Sequence, residues 1–343
     1  IVAEREGVAV AAVPFARQIR PLADLRALWV LAALVRRFRP AVVSAGTPKA
    51  GLLGIVAARL HSVPVRVYTV RGLRLETATG LERRLLTALE RLAAASASHV
   101  VCVGESLRRR YLQLGFAEAA KTRVLLDGSS NGVDVERFRP ARPGEAAELR
   151  RGLGIDEAAA VVGFVGRFTR DKGVEDLVAA FFDHVVSRLG EARLLLVGDY
   201  ESGDPVAAVV RRRLEDPRVV RAGFAADTAP FYRAMDVLAF PSYREGFPNA
   251  PLEAAASGVA VVGYAATGTV DAVVDGATGL LVPVGDRQRL AAAILGYLED
   301  TARRRRHGEA GRERVEGHFP SQRLWQAWSE LYRNTLAAVE GDR

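Results

Sequence analysis

The chain contains two successive series in which short apolar segments alternate with helix-like segments. Apolar runs of roughly four to eight residues bounded by turn residues predict buried strands, and an apolar period of about 3.6 predicts amphipathic helices. Regular alternation of the two predicts parallel sheets that are covered by helices on both faces. The sequence therefore predicts an α/β protein built on two sheets.

A polar stretch from Asn131 to Gly152 separates the two series, and we predict one domain over residues 1–140 and a second over residues 141–343. The strands of the first series are expected at 8–13, 41–45, 65–70, 99–103 and 123–126, with helices at 22–38 and 81–95. The strands of the second series are expected at 161–165, 193–197, 219–221, 236–240, 259–263 and 280–282, followed by a helix at 321–339.

Cysteine usage and apolar run lengths exclude several classes of protein. Cys102 is the single cysteine, so no internal disulfide framework forms, and its place in an apolar strand favours a small buried hydrophobe over a nucleophile. Apolar runs fall short of the roughly 18 residues that span a bilayer, so no transmembrane helix is expected. The sequence has no Asp-x-Asp pair and no metal-spaced His or Cys cluster, so neither a metal nor another cofactor is expected.

Charge is distributed unevenly along the chain. Residues 1–140 carry 22 Lys and Arg against 11 Asp and Glu, while the remaining residues carry 26 against 29. The sequence has no zinc finger or RNA-binding aromatic motif, so an anionic membrane surface is the favoured partner over nucleic acid. Ordinary solubilising helix faces are the open alternative. The candidate membrane-contacting residues are Arg36, Arg37, Arg39, Arg108, Arg109 and Arg110.

The segment from Arg244 to Glu253 combines a turn, a helix start and two carboxylates. It follows an apolar strand, and Asn249 near the helix cap and Pro251 in the first turn are typical of a helix N-terminus. Backbone N–H groups and the helix dipole would meet an anion such as a diphosphate there. Glu245 and Glu253 are then interpreted as acceptors for sugar hydroxyls, unless both are solvated helix-terminus charges.

A second segment pairs a buried strand with two cations. The strand at 161–165 ends in Gly166 and Arg167, and Lys172 follows five positions later. Lysine is rare in this chain, with three residues beside 45 arginines, so its position in a motif is informative. A compact ammonium on a flexible stem can follow a phosphate as it leaves. A surface ion pair with Asp171 is the alternative interpretation.

Together with Gly268 and the glycine-rich segment Asp275–Gly279, these motifs resemble the retaining glycosyltransferases of family 4, from about Gly7 to the C-terminus. The resemblance implies the GT-B fold, in which two Rossmann-like parallel-sheet domains face each other across a cleft. It also implies that the N-terminal domain binds the acceptor and that the C-terminal domain binds the nucleotide sugar.

The resemblance further implies roles for individual residues. Arg167 and Lys172 would neutralise the donor diphosphate and Glu245 would act on the transferred sugar, without a metal ion and with retention of configuration. The donor would be a nucleotide-diphosphate sugar, namely a UDP-sugar carrying a hexose or an N-acetylhexosamine. The implied substrate contacts are Arg71, Gly166, Gly223, Phe224, Phe247, Pro248, Asn249, Ala250, Leu252 and Glu253.

Two segments of the first series, 46–51 and 68–74, resemble the subgroup that acts on polysaccharide and lipid-linked oligosaccharide precursors. This implies a glycan or polyprenyl-diphosphate-linked acceptor and a peripheral location on the cytoplasmic face of the cell membrane. Relatives commonly carry histidine near Gly46 and at the position of Arg71, and this chain does not, so sugar specificity is not carried over. Thr47 as a helix N-cap with Pro48 at the first helical position explains that segment equally well.

In the family, a strand and a glycine-rich loop precede the point that matches Val8, so we expect an N-terminally truncated chain whose first sheet lacks a central strand. Two other functions remain open: a noncatalytic nucleotide-sugar-binding subunit, and a GT-B epimerase or phosphorylase. A nicotinamide oxidoreductase is excluded because no G-x-G-x-x-G segment follows an opening strand.

Overall fold

The structure, a computed structural model, describes residues 7–15, 20–201 and 205–341 and divides into two compact units. The first unit comprises the chain up to Cys102, the segment Arg110–Arg123 and the chain from Ser329 onward. The second comprises Val103–Arg109 and Val124–Trp328. The chain therefore passes between the units more than once.

The first unit contains a four-stranded sheet in the order β1-β2-β3-β4. All pairs are parallel, with Val42 opposite Val65 and Val67 opposite His99. Because each strand lies beside the previous one and parallel crossovers are right-handed, the connecting helices share one face of the sheet. The strands are β1 (Val42–Gly46), β2 (Val65–Val70), β3 (His99–Cys102) and β4 (Thr122–Arg123).

The second unit contains a six-stranded parallel sheet in the order β10-β9-β8-β5-β6-β7. Its central strands are buried along their whole length, as continuous apolar runs covered on both faces should be. The strands are β5 (Val161–Val165), β6 (Arg193–Val197), β7 (Val219–Gly223), β8 (Val237–Phe240), β9 (Ala260–Tyr264) and β10 (Gly279–Val282).

The helices have local start and stop signals in the sequence. Helix α9 carries Pro251 in its first turn, and it is followed by Gly258 at a φ of 76°, a left-handed conformation that favours glycine after a helix. Asp286 and Asp300 cap the helices α11 and α12 by accepting hydrogen bonds from backbone N–H groups. In chain order the helices are α1 (Pro21–Phe38), α2 (Pro48–Leu60), α3 (Gly80–Ser96), α4 (Glu105–Gln113), α5 (Glu145–Gly152), α6 (Val174–Ala180, continued by a π-helical turn Phe181–Val185 and a last turn Val186–Arg188), α7 (Ala208–Arg213), α8 (Ala229–Ala234), α9 (Asn249–Ala256), α10 (Thr269–Ala272), α11 (Arg287–Glu299), α12 (Thr301–His318) and α13 (Ser321–Gly341).

The order of strands reverses at the centre of the second sheet. From β5 the chain moves outward through β6 and β7, then returns to place β8 on the other side of β5. Such a switch opens a crevice at the carboxyl ends of the two neighbouring strands, which is where open α/β sheets bind ligands. The loops that follow β5 and β8 therefore hold the residues of greatest interest.

Two local predictions are wrong. Residues 8–13 form no strand, and Val8 and Val10 are exposed. A strand needs a hydrogen-bonding partner for its backbone, and none of the described residues pairs with this segment. The strand expected at 123–126 ends at Arg123, since Leu126 turns to a φ of 51°. Thr47 is the N-cap residue of α2 with Pro48 in the first turn, as the N-cap interpretation predicted, although the Thr47 side chain makes no cap hydrogen bond.

The prediction of two parallel α/β sheets is confirmed, and each of the other expected strands and helices is present within a few residues of its expected bounds. No helix among the described residues is both long enough and apolar enough to cross a membrane.

Candidate functional site

The loops after β5 and β8 place charged side chains at one edge of the second sheet. Gly166 and Arg167 directly follow β5, and Lys172 lies in the same loop just before α6. Glu245 lies in the loop between β8 and α9. Since β5 and β8 are hydrogen-bonded parallel neighbours, both loops leave from the same edge.

Lys172 and Glu245 form an ion pair, with 2.5 Å between Nζ and Oε1. Their side chains are only 17% and 13% exposed. A mostly buried ammonium and carboxylate stabilise each other because neither is well solvated, and removing one leaves the other uncompensated. The sequence predicted both residues for the site but did not predict that they pair.

Further contacts hold the two loops together. Asp171 accepts hydrogen bonds from Thr169 at 2.5 Å and from Arg244 at 2.9 Å, and its carbonyl accepts from the backbone N–H of Tyr243 at 2.9 Å. Gly173 has a φ of 69°, and a Cβ there would lie 2.0 Å from the carbonyl oxygen of Pro241. Only glycine allows this approach of the two backbones.

Arg167 is half-exposed and forms an ion pair with Glu201, which follows β6. The backbone N–H of Gly166 donates to the carbonyl of Val197 at 2.9 Å, extending the pairing of β5 and β6 beyond the strands. Arg167 therefore leaves the sheet on the β6 side of the site, while Lys172 reaches toward the β8 loop.

The start of α9 presents backbone rather than side chains. Phe247, Pro248 and Leu252 are buried, and the ring of Phe247 packs on that of Phe319 with centroids 5.5 Å apart. The Oδ1 atom of Asn249 is buried and has no hydrogen-bond partner among the described residues. Ala250 is partly exposed. A ligand at this end of the helix would meet N–H groups and the helix dipole.

Glu253 is held by a different set of contacts. Its carboxyl accepts a hydrogen bond from the Tyr232 hydroxyl at 2.8 Å and a longer one from Thr228 at 3.4 Å. Burial raises the pKa of Glu253, and the bonds from Tyr232 and Thr228 partly oppose that rise. Tyr232 is fully buried in α8, and no local sequence pattern except the four-residue spacing from Thr228 indicates its role.

Two predicted substrate contacts lie at the end of β7, and one lies in the first unit. Gly223 ends β7 with a φ of 72°, and Phe224 beyond it is 83% exposed, as a ring that stacks on a ligand would be. Arg71 follows β2 in the first unit, where its Nε would lie 3.2 Å from a Cβ added to Gly46.

Sequence reasoning missed a clamp formed by Ser106, Gly268 and Asp271. The backbone N–H and Oγ of Ser106 donate to Asp271 Oδ2 at 2.9 and 2.7 Å, and Ser106 Oγ accepts from the N–H of Gly268 at 2.8 Å. The neighbouring carbonyl of Thr267 accepts from the backbone N–H of Glu245 at 3.1 Å. The clamp thus supports the backbone that carries Glu245. These residues are remote in sequence, and no motif joins them.

Among the described residues, no group of three or more His, Cys, Asp or Glu side chains is arranged to hold a metal ion. Lys172 and the guanidinium groups of Arg167 and Arg244 are among the cations at this edge of the sheet. The site can therefore accept a polyanion through fixed side-chain cations and through the helix N-terminus.

Comparison with known proteins assigns both parts of the chain. Residues 2–128 match the family described as glycosyl transferase 4-like domain, and residues 159–300 match glycosyl transferases group 1. The capsular polysaccharide biosynthesis glycosyltransferase CapM of Staphylococcus aureus is 36% identical over 96% of this chain and 86% of its own length. The 2-deoxystreptamine glucosyltransferase of Streptomyces kanamyceticus is 33% identical over 88% of this chain and 81% of its own.

Solved structures show the same architecture. Anabaena HepE in complex with UDP and glucose superposes with a TM-score of 0.80 at 22% identity, covering 97% of this chain and 88% of its own. Sucrose-phosphate synthase from Thermosynechococcus elongatus superposes with a TM-score of 0.79 at 27% identity, covering 92% and 79%. These matches confirm the predicted GT-B fold, and the chain belongs to the family 4 glycosyltransferases.

Proposed function

We propose that this glycosyltransferase moves a hexosyl or N-acetylhexosaminyl group from a UDP-sugar to a glycan or polyprenyl-diphosphate-linked acceptor, with retention of configuration, during synthesis of a cell-surface polysaccharide. The observation that carries the proposal is the mostly buried Lys172–Glu245 pair at the strand switch point, which joins the loop after β5 to the loop that leads to the N-terminus of α9. It provides a cation for the diphosphate and a carboxylate for the sugar. The name of CapM supports the polysaccharide product.

Donor binding would use the edge of the second sheet. The diphosphate would meet Lys172, Arg167 and the first N–H groups of α9, because opposite charge and the helix dipole both favour an anion there. Glu253 would accept hydrogen bonds from the ribose hydroxyls. The exposed ring of Phe224 would stack on the base, and backbone groups around Gly223 would contact its edge.

Arrival of the diphosphate would change the partner of Lys172. In the structure its ammonium contacts Glu245. Once phosphate oxygens surround the ammonium, the Glu245 carboxylate is released to accept hydrogen bonds from hydroxyls of the transferred sugar. The ion pair would therefore keep Lys172 and Glu245 in place before the donor binds. When the donor binds, Lys172 would pair with the diphosphate and Glu245 with the sugar.

These positions suit the following chemical step. The bond between the anomeric carbon and the diphosphate oxygen breaks, and negative charge grows on the leaving diphosphate. Arg167 and Lys172 stabilise that charge more strongly than they stabilise the ground state. The acceptor hydroxyl oxygen attacks the anomeric carbon from the same face, and its proton passes to the departing phosphate oxygen. The configuration at the anomeric carbon is thereby retained.

We assign acceptor binding to the domain predicted over residues 1–140 and donor binding to that over residues 141–343. Arg71, at the end of β2, is the candidate contact for an acceptor hydroxyl or phosphate. Its guanidinium is always charged, so it recognises a phosphate well but cannot act as a neutral imidazole would.

We also propose reversible docking on the anionic cytoplasmic face of the cell membrane, where a lipid-linked acceptor would be found. Arg36 and Arg37 are exposed in the last turn of α1. Helix α3 adds an apolar stripe, with Leu81, Leu85 and Leu92 exposed by 80%, 45% and 49%. Spacings of four and seven residues place all three on one face, as in helices that lie in a membrane interface.

Two exposed arginines of α3, Arg84 and Arg91, lie beside this stripe, and their charge complements anionic lipid. Arg108 and Arg110 are weaker candidates than the sequence indicated, since they pair with Glu105 and Glu76. Vesicle sedimentation tests the proposal: binding to vesicles that contain anionic lipid should fall with added salt and on replacing Leu81 and Leu85 by glutamine. Equal binding to neutral vesicles would exclude it.

The roles of the two glutamates are tested by a crossed pair of variants. Glu253→Gln should weaken UDP binding by about 1.5 to 3 kcal/mol, since a hydrogen bond to a charged group is lost. Glu245→Gln should leave UDP affinity nearly unchanged and impair turnover of the sugar nucleotide. Calorimetry with UDP and a UDP-release assay measure the two effects. An equal loss of UDP affinity in both variants would overturn the assignment.

Two further measurements separate this proposal from its alternatives. Product analysis with radiolabelled UDP-glucose, UDP-galactose and UDP-N-acetylglucosamine should show labelled glycan, whereas a noncatalytic subunit would bind donor without product. UDP is tested first because HepE, which shares the fold, was solved with it. EDTA should leave the rate unchanged, because side-chain cations serve the leaving group. A full requirement for added Mg²⁺ or Mn²⁺ would contradict the proposal that side-chain cations alone stabilise the leaving group.

A further inference from the structure

Asp176, in the first turn of α6, is a buried carboxylate that the donor site described above does not use. It is only 2% exposed. Its Oδ2 accepts hydrogen bonds from the hydroxyls of Tyr243 at 2.5 Å and Tyr264 at 2.8 Å, and its Oδ1 accepts from Nε of Arg287 at 2.5 Å. A buried carboxylate is costly, and here three donors compensate it.

The three donors come from three different elements at the same edge of the sheet. Tyr243 lies in the β8–α9 loop, two residues before Glu245, while Tyr264 ends β9 and Arg287 begins α11. Asp176 itself lies four residues after Lys172, about one helical turn. The rings of Tyr243 and Tyr264 also pack edge to face, with centroids 5.5 Å apart.

We propose that Asp176 is a positioning residue for the transfer reaction, because it locks the loop of Lys172 to the loop of Glu245 through the Tyr243 hydroxyl. This inference rests on the proposed function of Lys172 and Glu245. Asp176 fixes one side of the pair through α6, and Tyr243 fixes the other through the backbone that leads to Glu245. Tyr264 and Arg287 anchor the carboxylate to β9 and α11.

The physical reason is the demand for preorganisation. A cation stabilises the leaving diphosphate fully only if it already stands where the charge develops, and a misplacement of about 1 Å can cost about 10² in rate. The ammonium of Lys172 is on a long flexible side chain, so its position depends on the backbone that carries it. Groups that fix such a backbone matter for turnover more than for ground-state binding.

Asp236 offers a matched control at the opposite end of the sheet. Its Oδ2 accepts from Arg150 at 2.9 Å and from the backbone N–H of Val161 at 2.8 Å, and its Oδ1 pairs with Arg304 at 3.1 Å. Asp236 immediately precedes β8 and Val161 begins β5, so this network lies at the amino ends of the strands. Its chemistry resembles that of Asp176, but it is remote from Lys172 and Glu245 along both strands.

The experiment compares Asp176→Asn, Tyr243→Phe and Asp236→Asn in kcat, in Kd for UDP and in the thermal unfolding midpoint. Asp176→Asn and Tyr243→Phe should each lower kcat by about 10- to 100-fold while changing the UDP Kd by less than about threefold. Asp236→Asn should lower the unfolding midpoint at least as much and keep kcat within about threefold. Tyr243→Phe keeps the ring and removes only one hydroxyl, so it tests the idea even if Asp176→Asn folds poorly.

A double-mutant cycle then separates positioning from general stability. In a Lys172→Ala background, Tyr243→Phe should cost less than about threefold in kcat, because its hydroxyl then no longer holds the Glu245 loop in register with an ammonium. The full loss in both backgrounds, or an equal loss of kcat in Asp236→Asn, would overturn the inference. Lys172→Ala with the wild-type rate would overturn both this inference and the proposed function. If Lys172→Ala lowers kcat and Tyr243→Phe lowers it further by its full factor in that background, only the positioning role is overturned.

Discussion

The two glutamates of the candidate site are held by different chemistry. The carboxylate of Glu245 lies 2.5 Å from the ammonium of Lys172. This corner of the site is therefore an ion pair. Glu253 faces the hydroxyls of Tyr232 and Thr228, and burial raises its pKa. In the proposed mechanism the first corner, Lys172 with Glu245, exchanges partners when the diphosphate arrives, whereas the second, Glu253 with Tyr232 and Thr228, is a built pocket with neutral donors.

This difference separates two tasks that one ligand imposes. A corner that exchanges charge suits the part of the donor whose charge changes during the reaction. A corner with fixed neutral donors suits the part that does not react, because its contacts are equal before and during bond cleavage. The comparison therefore predicts effects on turnover at Lys172 and effects on binding at Glu253.

The largest expected effect is at the cations of the exchanging corner. Lys172→Ala and Arg167→Ala should each lower kcat by about 10² to 10³, since both are proposed to act on charge that develops in the transition state. UDP-release kinetics measure the loss. Arg188→Ala is the matched control, because Arg188 also pairs with a glutamate, Glu299, on the surface of the same unit. If Arg188→Ala lowers kcat as much as Arg167→Ala does, the effect is not specific to the candidate site.

The next effect concerns how tightly the exchanging corner is packed. Gly173→Ala should lower the free energy of unfolding by roughly 2 to 5 kcal/mol, from the left-handed backbone together with the clash at Pro241. Gly144 has a φ of 81° with no atom within 4 Å of an added Cβ, so Gly144→Ala should cost only about 1 to 2 kcal/mol. Urea unfolding compares the two variants, and equal costs would mean that the two loops separate easily.

A smaller effect tests the built pocket. Tyr232→Phe removes a hydrogen bond to Glu253 that also lowers the pKa of that carboxyl. UDP binding should weaken by about 0.5 to 1.5 kcal/mol, because the carboxyl proposed to accept the ribose hydroxyls loses a hydrogen bond that holds it in place. Tyr297→Phe, which removes a buried hydroxyl bonded to His307 in the same unit, should leave the Kd unchanged. If calorimetry shows that Tyr297→Phe weakens UDP binding more than Tyr232→Phe does, the ribose does not contact Glu253.

The smallest effect is on the pH dependence of stability. A carboxyl whose pKa is raised on folding favours the folded state below its ordinary value of 4.5, and that contribution is lost as the pH rises through the folded pKa. The stability of the wild type should therefore fall relative to Glu253→Gln over this range. The slope difference should be a fraction of the limiting value of about 1.4 kcal/mol per pH unit. Parallel curves from urea unfolding between pH 4.5 and 7.5 would contradict the burial argument.

Strands and loop residues were accessible from the sequence because their signals are local. The apolar runs of β5 and β8 and the glycines and prolines after them mark a ligand-binding edge without any knowledge of the fold. The strand expected at 8–13 shows the limit of this reasoning. Its apolar pattern fits a strand, but pairing depends on a neighbour that local sequence does not reveal.

The contacts within the site were not accessible, because they join residues remote in sequence. Lys172 and Glu245 are 73 positions apart, and Ser106 and Asp271 are 165 apart. Motifs identified Glu253 but not the Tyr232 hydroxyl beneath it, since a tyrosine in a short apolar helix fits an ordinary core position equally well. Such pairs are set by how strands and helices stack, and no local propensity encodes them.

The terminal helix α13 begins in the second unit, and from Ser329 onward it belongs to the first, where the hydroxyl of Tyr332 donates to Ser44 of β1 at 2.8 Å. A cut near residue 140 would therefore not give two self-sufficient pieces, because the first would lose part of its own packing. An exchange of the first unit between relatives would have to move the end of α13 together with the N-terminal part of the chain. The substitutable module in this fold is discontinuous, and recombination at a single crossover point would break it.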